Sequence, residues 1–530
     1  MKTVIENSML VRLPDAFDRG AQHSGAVARW VQAFGREDPA VHSAYQAWLL
    51  RIQQALERFA SAWETSAVGR ALRAVHSSAL RFTQGSAIAG PMLRIPLRRW
   101  LLIVFALYLP VEYALRTLPG LARVASVWEE AFIAAGLALV FGRAALSRSK
   151  NLARANATEA AILLFMAVGL LLMMLNRPYP AVAFTGYRAQ VQYMVWFLIV
   201  YRLLDSEEDA CALYGVFTGA VLLMCMHGIY QFAVGVEIPA HWVTQTEVGV
   251  RTRVFSLTGS PNIFGSLIVM AAPMTAACMY YFRDVKWKIL AFLGTGAACL
   301  CILFTFSRGA WVGLVVAVVL FSLFVDRRLL LAMGAGIAGI LATVPSITSR
   351  LTYLFTSDYA EASAIGGRTL RWQLGRDLLM ENSPLLGFGL GRFGGAVAMN
   401  NKLLDETETF RYFYMDNYYL KTLVEMGYIG LFFFVLLLGI LFVSGLRAVH
   451  QSGTGYFSDR QLDPLVRNAG NTKLLTAGIL SGLSGVLAHC LFENIFEEPY
   501  MMAYFWGLAA LMVFLGSHRF RNAESLEKSY

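Results

Sequence analysis

The sequence predicts an all-α, polytopic membrane protein with about twelve transmembrane helices. Three observations carry that fold class. Of the 530 residues, 57% are hydrophobic and only 15% charged, against roughly 45–50% and about 25% in a soluble domain. The apolar excess falls into blocks of about 20 residues, the length that crosses a bilayer. The densest basic connectors also fall on one side of the expected bundle, as orientation in a membrane requires. A net charge of +10 would suggest nucleic acid in a soluble protein; here it belongs to orientation, and no nucleic-acid partner is expected.

Residues 1–98 read as a cytoplasmic extension. Trp48, Ile52, Leu56, Phe59 and Trp63 recur at three- and four-residue steps and make one apolar helical face. A helix of that kind lies on the anionic inner leaflet or packs on the membrane domain, and it contains no visible chemistry. The first 30 residues have no apolar core, so the first span is expected to insert as an uncleaved anchor.

The membrane domain covers 99–518. Its expected spans lie near 100–118, 124–142, 159–175, 189–204, 210–235, 262–282, 287–306, 309–325, 328–346, 428–448, 472–492 and 499–517. A cytoplasmic N-terminus puts Arg98, Arg99, Arg143, Arg154, Arg283, Lys286, Arg327 and Arg328 on one side, together with the tail 519–530. Both termini are then cytoplasmic and the protein sits in the cytoplasmic membrane. The six cysteines lie in or beside apolar runs with no C-x-x-C, as small core residues do.

The other side receives Arg188, Arg253, Arg308 and the long polar interval 347–427, which holds Arg368, Arg371, Arg376 and Arg392. These arginines run against the positive-inside trend and need a reason to be there. A guanidinium binds phosphate oxygens through two parallel hydrogen bonds and stays charged at any relevant pH. Several of them converging from different loops suit a lipid-linked diphosphate; snorkelling to the headgroups is the plainer reading of Arg308.

The interval 347–427 must lie outside the hydrocarbon core or line a cavity, because lipid tolerates no long irregular polar segment. It reads as the lid and half the active site of a membrane enzyme. GGRTLRWQLGRDLLMENSP predicts an amphipathic helix with Leu370, Leu374 and Leu378 on one stripe. Arg368, Trp372 and Arg376 gather opposite, with Arg371 at the edge. GFGLGRFGG matches G-x-G-x-x-G without the strand that a dinucleotide site needs, so it reads as a tight turn between lid helices. Asp416 and Asn417 open the next helix. Asp416 is either the N-cap or the group that takes, or orients the taking of, a hydroxyl proton. His241, in the loop 236–261, is the rival base. Glu493, Glu497 and Glu498 read as ion-pairing partners of the arginines. There is no Walker A loop, D-x-D or H-E-x-x-H, so neither metal nor cofactor is expected.

With these pieces placed, the chain resembles the O-antigen ligase and O-antigen polymerase family of bacterial envelope enzymes over roughly residues 100–518. The resemblance rests on RVFSLTGSPNIFGSLI (253–268), TFSRGAWVGL (305–314), GGRTLRWQLGRDLLMENSPLLGFGLGRFG and DNYYLKTLVEMGYIGL (416–431), in that order between the spans. It implies inverting, metal-free transfer of a glycan from undecaprenyl diphosphate to a glycan or glycolipid hydroxyl at the outer face, beside other polysaccharide-assembly proteins. It also implies that Arg188, Arg253, Arg308 and Arg368 contact the diphosphate or glycan. Many members carry His-Asn where this chain has Asp416-Asn417, which leans toward polymerase-like members. The candidate site is therefore Asp416, Arg308 and Arg368 for the chemistry. Arg188, Arg253, Asn262, Arg371, Trp372, Arg376, Asn417 and His241 are the candidates for binding substrate. Two rivals stand beside it: a protein O-oligosaccharyltransferase, and a transporter of an anionic solute or lipid-linked saccharide.

Overall fold

In the computed structural model of the protein, the described residues are 43–66, 70, 95–146, 150–175, 178–237, 252–357, 361, 367–403, 412–453 and 472–517. No strand occurs among them. His241, residues 1–42 and the tail 519–530 lie outside them.

Each interval expected to cross the membrane carries helix. The first is bent by 74° between Leu97–Ala106 and Tyr108–Thr117. The next are Trp128–Leu146, Ala157–Leu175, Pro180–Val191 continued by Val195–Leu203, Glu207–Val234, Pro261–Tyr281 and Val285–Phe304. Arg308–Phe324, Arg328–Thr343, Tyr418–Gly453, Thr472–His489 and Pro499–Gly516 follow. By length and composition six of these are able to cross a bilayer, and seven if the bent pair counts as one span. The bundle is multi-pass on that criterion, with fewer spans meeting it than the twelve expected.

Burial sorts the helices into layers. Pro499–Gly516 is apolar all round and buried along nearly its whole length, with Trp506 and Phe505 inaccessible, as a helix at the centre of a bundle must be. Val285–Phe304 turns Trp287, Leu290, Phe292 and Leu293 outward, the side-chain chemistry of a lipid-facing surface. Between these layers runs a seam of small residues. A Cβ on Gly482 would stand 2.2 Å from the carbonyl oxygen of Met270, and one on Gly485 would stand 2.6 Å from that of Gly313. Glycine thus lets Thr472–His489 lie against both Pro261–Tyr281 and Arg308–Phe324 at backbone distance, the small-residue packing of membrane bundles. That seam brings one end of all three helices together.

Glu207–Val234, with 28 residues and a rise of about 40 Å, separates two polar clusters. At its start Asp209 accepts from Arg98 Nε at 3.2 Å and Arg99 Nε at 2.7 Å, while Asp205 pairs with Arg143 and Arg154. Basic residues from separate connectors thus meet at one end, in line with the one-sided charge of the sequence. At the opposite end Gln231 Oε1 accepts from the N–H groups of Phe255 and Ser256 and anchors the segment that carries Arg253.

The N-terminal helix Ala44–Thr65 docks on the first end. Gln53 Oε1 takes the N–H of Ala153 at 3.2 Å and Tyr45 bonds to Glu159. Leu49, Gln53 and Ala60 are buried, and of the expected apolar stripe Ile52 and Leu56 pack against the core whereas Trp48 and Phe59 are exposed. The packed side is shifted from the centre of that stripe because the polar anchors Tyr45 and Gln53 also sit on it.

Candidate active site

The lid helix spans Arg368–Glu381, as its flanking glycines and Pro384 predict. Its buried face differs from the expected leucine stripe. Gly375 and Leu379 are buried, and a Cβ on Gly375 would stand 2.9 Å from Phe393 Cζ. The helix seats on a small core of Phe388, Phe393, Met415 and Val424. Arg368, Arg371 and Trp372 continue that packed face and turn toward Asp416.

The glycine-rich stretch after this helix is a connector held by backbone and carboxylates, as the failed dinucleotide match suggests. Phe388 N–H donates to Val424 O at 2.7 Å and Gly389 N–H to Glu425 O at 3.1 Å. Gly427, at φ 67°, kinks the Tyr418–Gly453 helix where a Cβ would stand 2.2 Å from Leu385 O; only glycine fits there. Two buried carboxylates close the clamp. Glu425 Oε1 accepts from Phe393 N–H at 3.1 Å and Glu497 Oε1 from Ala396 N–H at 2.7 Å, with Lys421 Nζ between them at 3.3 and 3.5 Å. Burial opposes the charge on Glu497, but Lys421, the Ala396 N–H and Asn494 outweigh it and hold the carboxyl below its ordinary range. The sequence reading missed this Lys421–Glu425–Glu497 network. Its one legible sign was the four-residue spacing of Lys421 and Glu425.

Asp416 and Asn417 divide the two tasks expected of the helix start. Asn417 Oδ1 accepts from Leu420 N–H at 3.0 Å, the bond of an N-cap. Asp416 is buried and its carboxylate points to the lid. Arg368 Nε donates to Oδ2 at 2.8 Å and Trp372 Nε1 to Oδ1 at 3.1 Å, with an Arg371 nitrogen at 4.0 Å from Oδ2. Arg368 also donates to Phe492 O at 2.9 Å, which ties the lid to the turn after Thr472–His489.

That turn meets a second arm of the site. Buried Arg253 donates through Nε to Thr305 O at 2.9 Å and through a terminal nitrogen to Asn262 Oδ1 at 3.0 Å. Asn262 Nδ2 donates in turn to Glu493 Oε2 at 2.6 Å. Burial pushes the Glu493 carboxyl above its ordinary range; Arg368 opposes this, Asp416 adds to it, and the Asn262 bond and Arg253 oppose it again. Arg308 begins its helix immediately after the TFS turn, in which Phe306 takes φ 51°. The next residue, Gly309, lies against the ring of His489, whose Nδ1 is 2.6 Å from Ser266 Oγ. His489 is buried, the core residue it reads as in sequence.

The fold therefore brings Arg253, Asn262, Arg368, Arg371, Trp372 and Asp416 to one end of the bundle, around the turn 489–493, with the backbone of Arg308 beside them. Two candidates face elsewhere. Arg188 pairs with Glu130 at 3.2 Å on an exposed surface, and Arg376 turns outward to Asp377 at 3.0 Å.

Residues 289–435 match the family model Wzy_C, O-antigen ligase. That stretch is similar to an O-antigen ligase domain. The match begins inside Val285–Phe304 and ends inside Tyr418–Gly453, so it contains Arg308, the lid and Asp416 but not Arg253, Asn262 or Glu493. No curated protein matches the chain. The match, in a bundle with several apolar helices, supports a membrane glycan ligase or polymerase of glycosyltransferase type.

Proposed function

We propose that this protein transfers or polymerises glycan from an undecaprenyl-diphosphate-linked donor at the outer face of the cytoplasmic membrane, with inversion and without metal. The observation that carries the reading is the meeting of Arg368, bound to Asp416 and to Phe492 O, with the Arg253–Asn262–Glu493 chain at one end of the bundle. In this reading Arg253, Arg308, Arg368 and Arg371 grip the diphosphate, and guanidinium groups held in advance stabilise the charge that grows on the leaving group. Asp416 and Phe492 O hold Arg368 in place. Trp372, anchored by the same carboxylate, offers a ring edge and face to the glycan. Arg188 and Arg376 contribute field and rim contacts. The lid closes over donor and acceptor and aligns them. Both termini lie in the cytoplasm, where Arg98, Arg99, Arg143 and Arg154 gather around Asp205 and Asp209.

Polar groups collected at one end of the helices, rather than at their middle, favour transfer chemistry over transport. The test uses purified full-length protein in detergent, a defined undecaprenyl-diphosphate oligosaccharide, a metal chelator and no nucleotide, with products read by mass. A ladder of lengthened glycan identifies a polymerase. Transfer only after an acceptor glycolipid or protein is added identifies a ligase. Donor that binds and is carried across vesicles unchanged overturns the reading in favour of transport.

A further inference from the structure

Two carboxylates stand at the heart of this site, and their hydrogen bonds differ in kind. Both oxygens of Asp416 are occupied, Oδ2 by Arg368 at 2.8 Å and Oδ1 by Trp372 at 3.1 Å. Each Asp416 oxygen keeps a second lone pair, but a proton taken there would weaken the charged anchor of Arg368. Glu493 is held by one oxygen only: Oε2 takes Asn262 Nδ2 at 2.6 Å, and among the described residues Oε1 takes no hydrogen bond. The side chain is half-buried, and Oε1 is not among the sealed polar atoms.

Its orientation is set from two sides. Asn262 accepts from Arg253 through Oδ1 and donates to Glu493 through Nδ2. Only this amide orientation satisfies both neighbours, because a guanidinium cannot accept and a carboxylate cannot donate. Asn262 therefore locks Glu493 beside Arg253, while Phe492 O, one residue back, holds Arg368. The charges of both arginines, Arg368 and Arg253, act on this carboxylate.

We propose that Glu493, rather than Asp416, is the general base that takes the proton of the acceptor hydroxyl. This rests on the donor reading given above. The acceptor oxygen attacks the anomeric carbon, its proton passes to Glu493 Oε1, and the bond from that carbon to the phosphate oxygen breaks. The electron pair leaves on the undecaprenyl diphosphate, whose charge the arginines meet, and Glu493 later gives its proton to water. Asp416 is then a positioning residue for Arg368. The groups facing Glu493 are Arg368 and Asp416 from the lid side, Arg253 and Asn262 from the Pro261–Tyr281 side, and Cys490 from its own segment. Burial raises the Glu493 carboxyl above its ordinary range.

The test uses full-length protein and two readouts. Undecaprenyl diphosphate binding is followed by tryptophan fluorescence, and transfer by mass with the defined undecaprenyl-diphosphate oligosaccharide and its acceptor. Glu493→Gln keeps the bond from Asn262, so binding should stay within about threefold while kcat falls by about 10²–10⁴-fold. Glu493→Asp should keep part of the activity and move the acid limb of the kcat/KM profile. Transfer by Glu493→Gln at the wild-type rate overturns the proposal, as does loss of undecaprenyl diphosphate binding with transfer per bound donor unchanged. If Glu493→Gln does not accumulate, an unmoved acid limb in Glu493→Asp overturns it instead. A wild-type protein that neither binds undecaprenyl diphosphate nor transfers glycan removes the donor reading, and the proposal with it; a wild-type protein that does both isolates the result on Glu493.

Discussion

Arg368 donates through Nε to Asp416 Oδ2 at 2.8 Å, across 48 residues of sequence, while the adjacent Asn417 caps the helix that Asp416 would otherwise have capped. Two neighbouring residues therefore do separable work, and substitution should separate them. Asn417→Ala should lower stability by about 1 kcal/mol, the worth of an N-cap, and leave most of the transfer activity. Asp416→Asn should melt near the wild-type temperature yet lose about 10²-fold in kcat/KM, because Arg368 loses its charged anchor. Thermal melts and transfer assays on the same preparations check both; equal losses of activity in the two variants would count against this division.

Arg308 and Arg376 form a second contrast. Arg308→Ala should abolish glycan transfer with the fold intact, since Arg308 starts its helix beside the turn that holds Arg368. Arg376→Ala should transfer within about twofold of wild type, because its guanidinium is exposed and bound to its neighbour Asp377. Normal transfer by the Arg308 variant would sink the diphosphate reading.

The Lys421–Glu425–Glu497 network predicts a stability effect. Lys421→Met leaves two carboxylates facing each other without their cation, with Glu425 only 2% exposed. Breaking a buried pair this way costs about 3–5 kcal/mol. A strongly lowered melting temperature in detergent is expected, together with greater protease sensitivity in 384–396, the stretch those carboxylates clamp.

Gly427→Ala should fail in a different way. The residue needs φ 67° and has Leu385 O where its Cβ would go. The variant should lose the seat of the lid connector and show reduced yield and transfer. Gly439→Ala, in the same helix but with open space around it, should behave as wild type in both measurements.

A pH dependence follows from Glu498, just beyond the site turn. Burial first, and the charge of Glu112 next, push its carboxyl up to about 7. The folded protein therefore holds this proton more tightly than the unfolded chain, whose ordinary value is 4.5. The stability it contributes is complete below that ordinary value and is lost as pH rises through about 7. The apparent melting temperature should decline between about pH 5 and about pH 8, and Glu498→Gln should flatten that decline. An unchanged slope in the variant would assign the effect to another group.

The sequence by itself determined where helices lie and where the polar chemistry had to be. A bilayer demands apolar runs of about 20 residues, so the helical intervals could be read directly. Glycines and a proline bound the lid helix at Arg368–Glu381 for local backbone reasons. Tertiary structure alone decided which face of that helix is buried, because Gly375 must meet Phe393 and no periodicity within 368–381 records it. It alone decided that Asn417 caps while Asp416 binds Arg368. Glu493 reads in sequence only as an ion-pairing partner of the arginines, and nothing local names Asn262, 231 residues away, as the group that holds it. Its partner is chosen by the glycine seam that draws Pro261–Tyr281 and Thr472–His489 together, and helix packing of that kind depends on shape across the whole bundle.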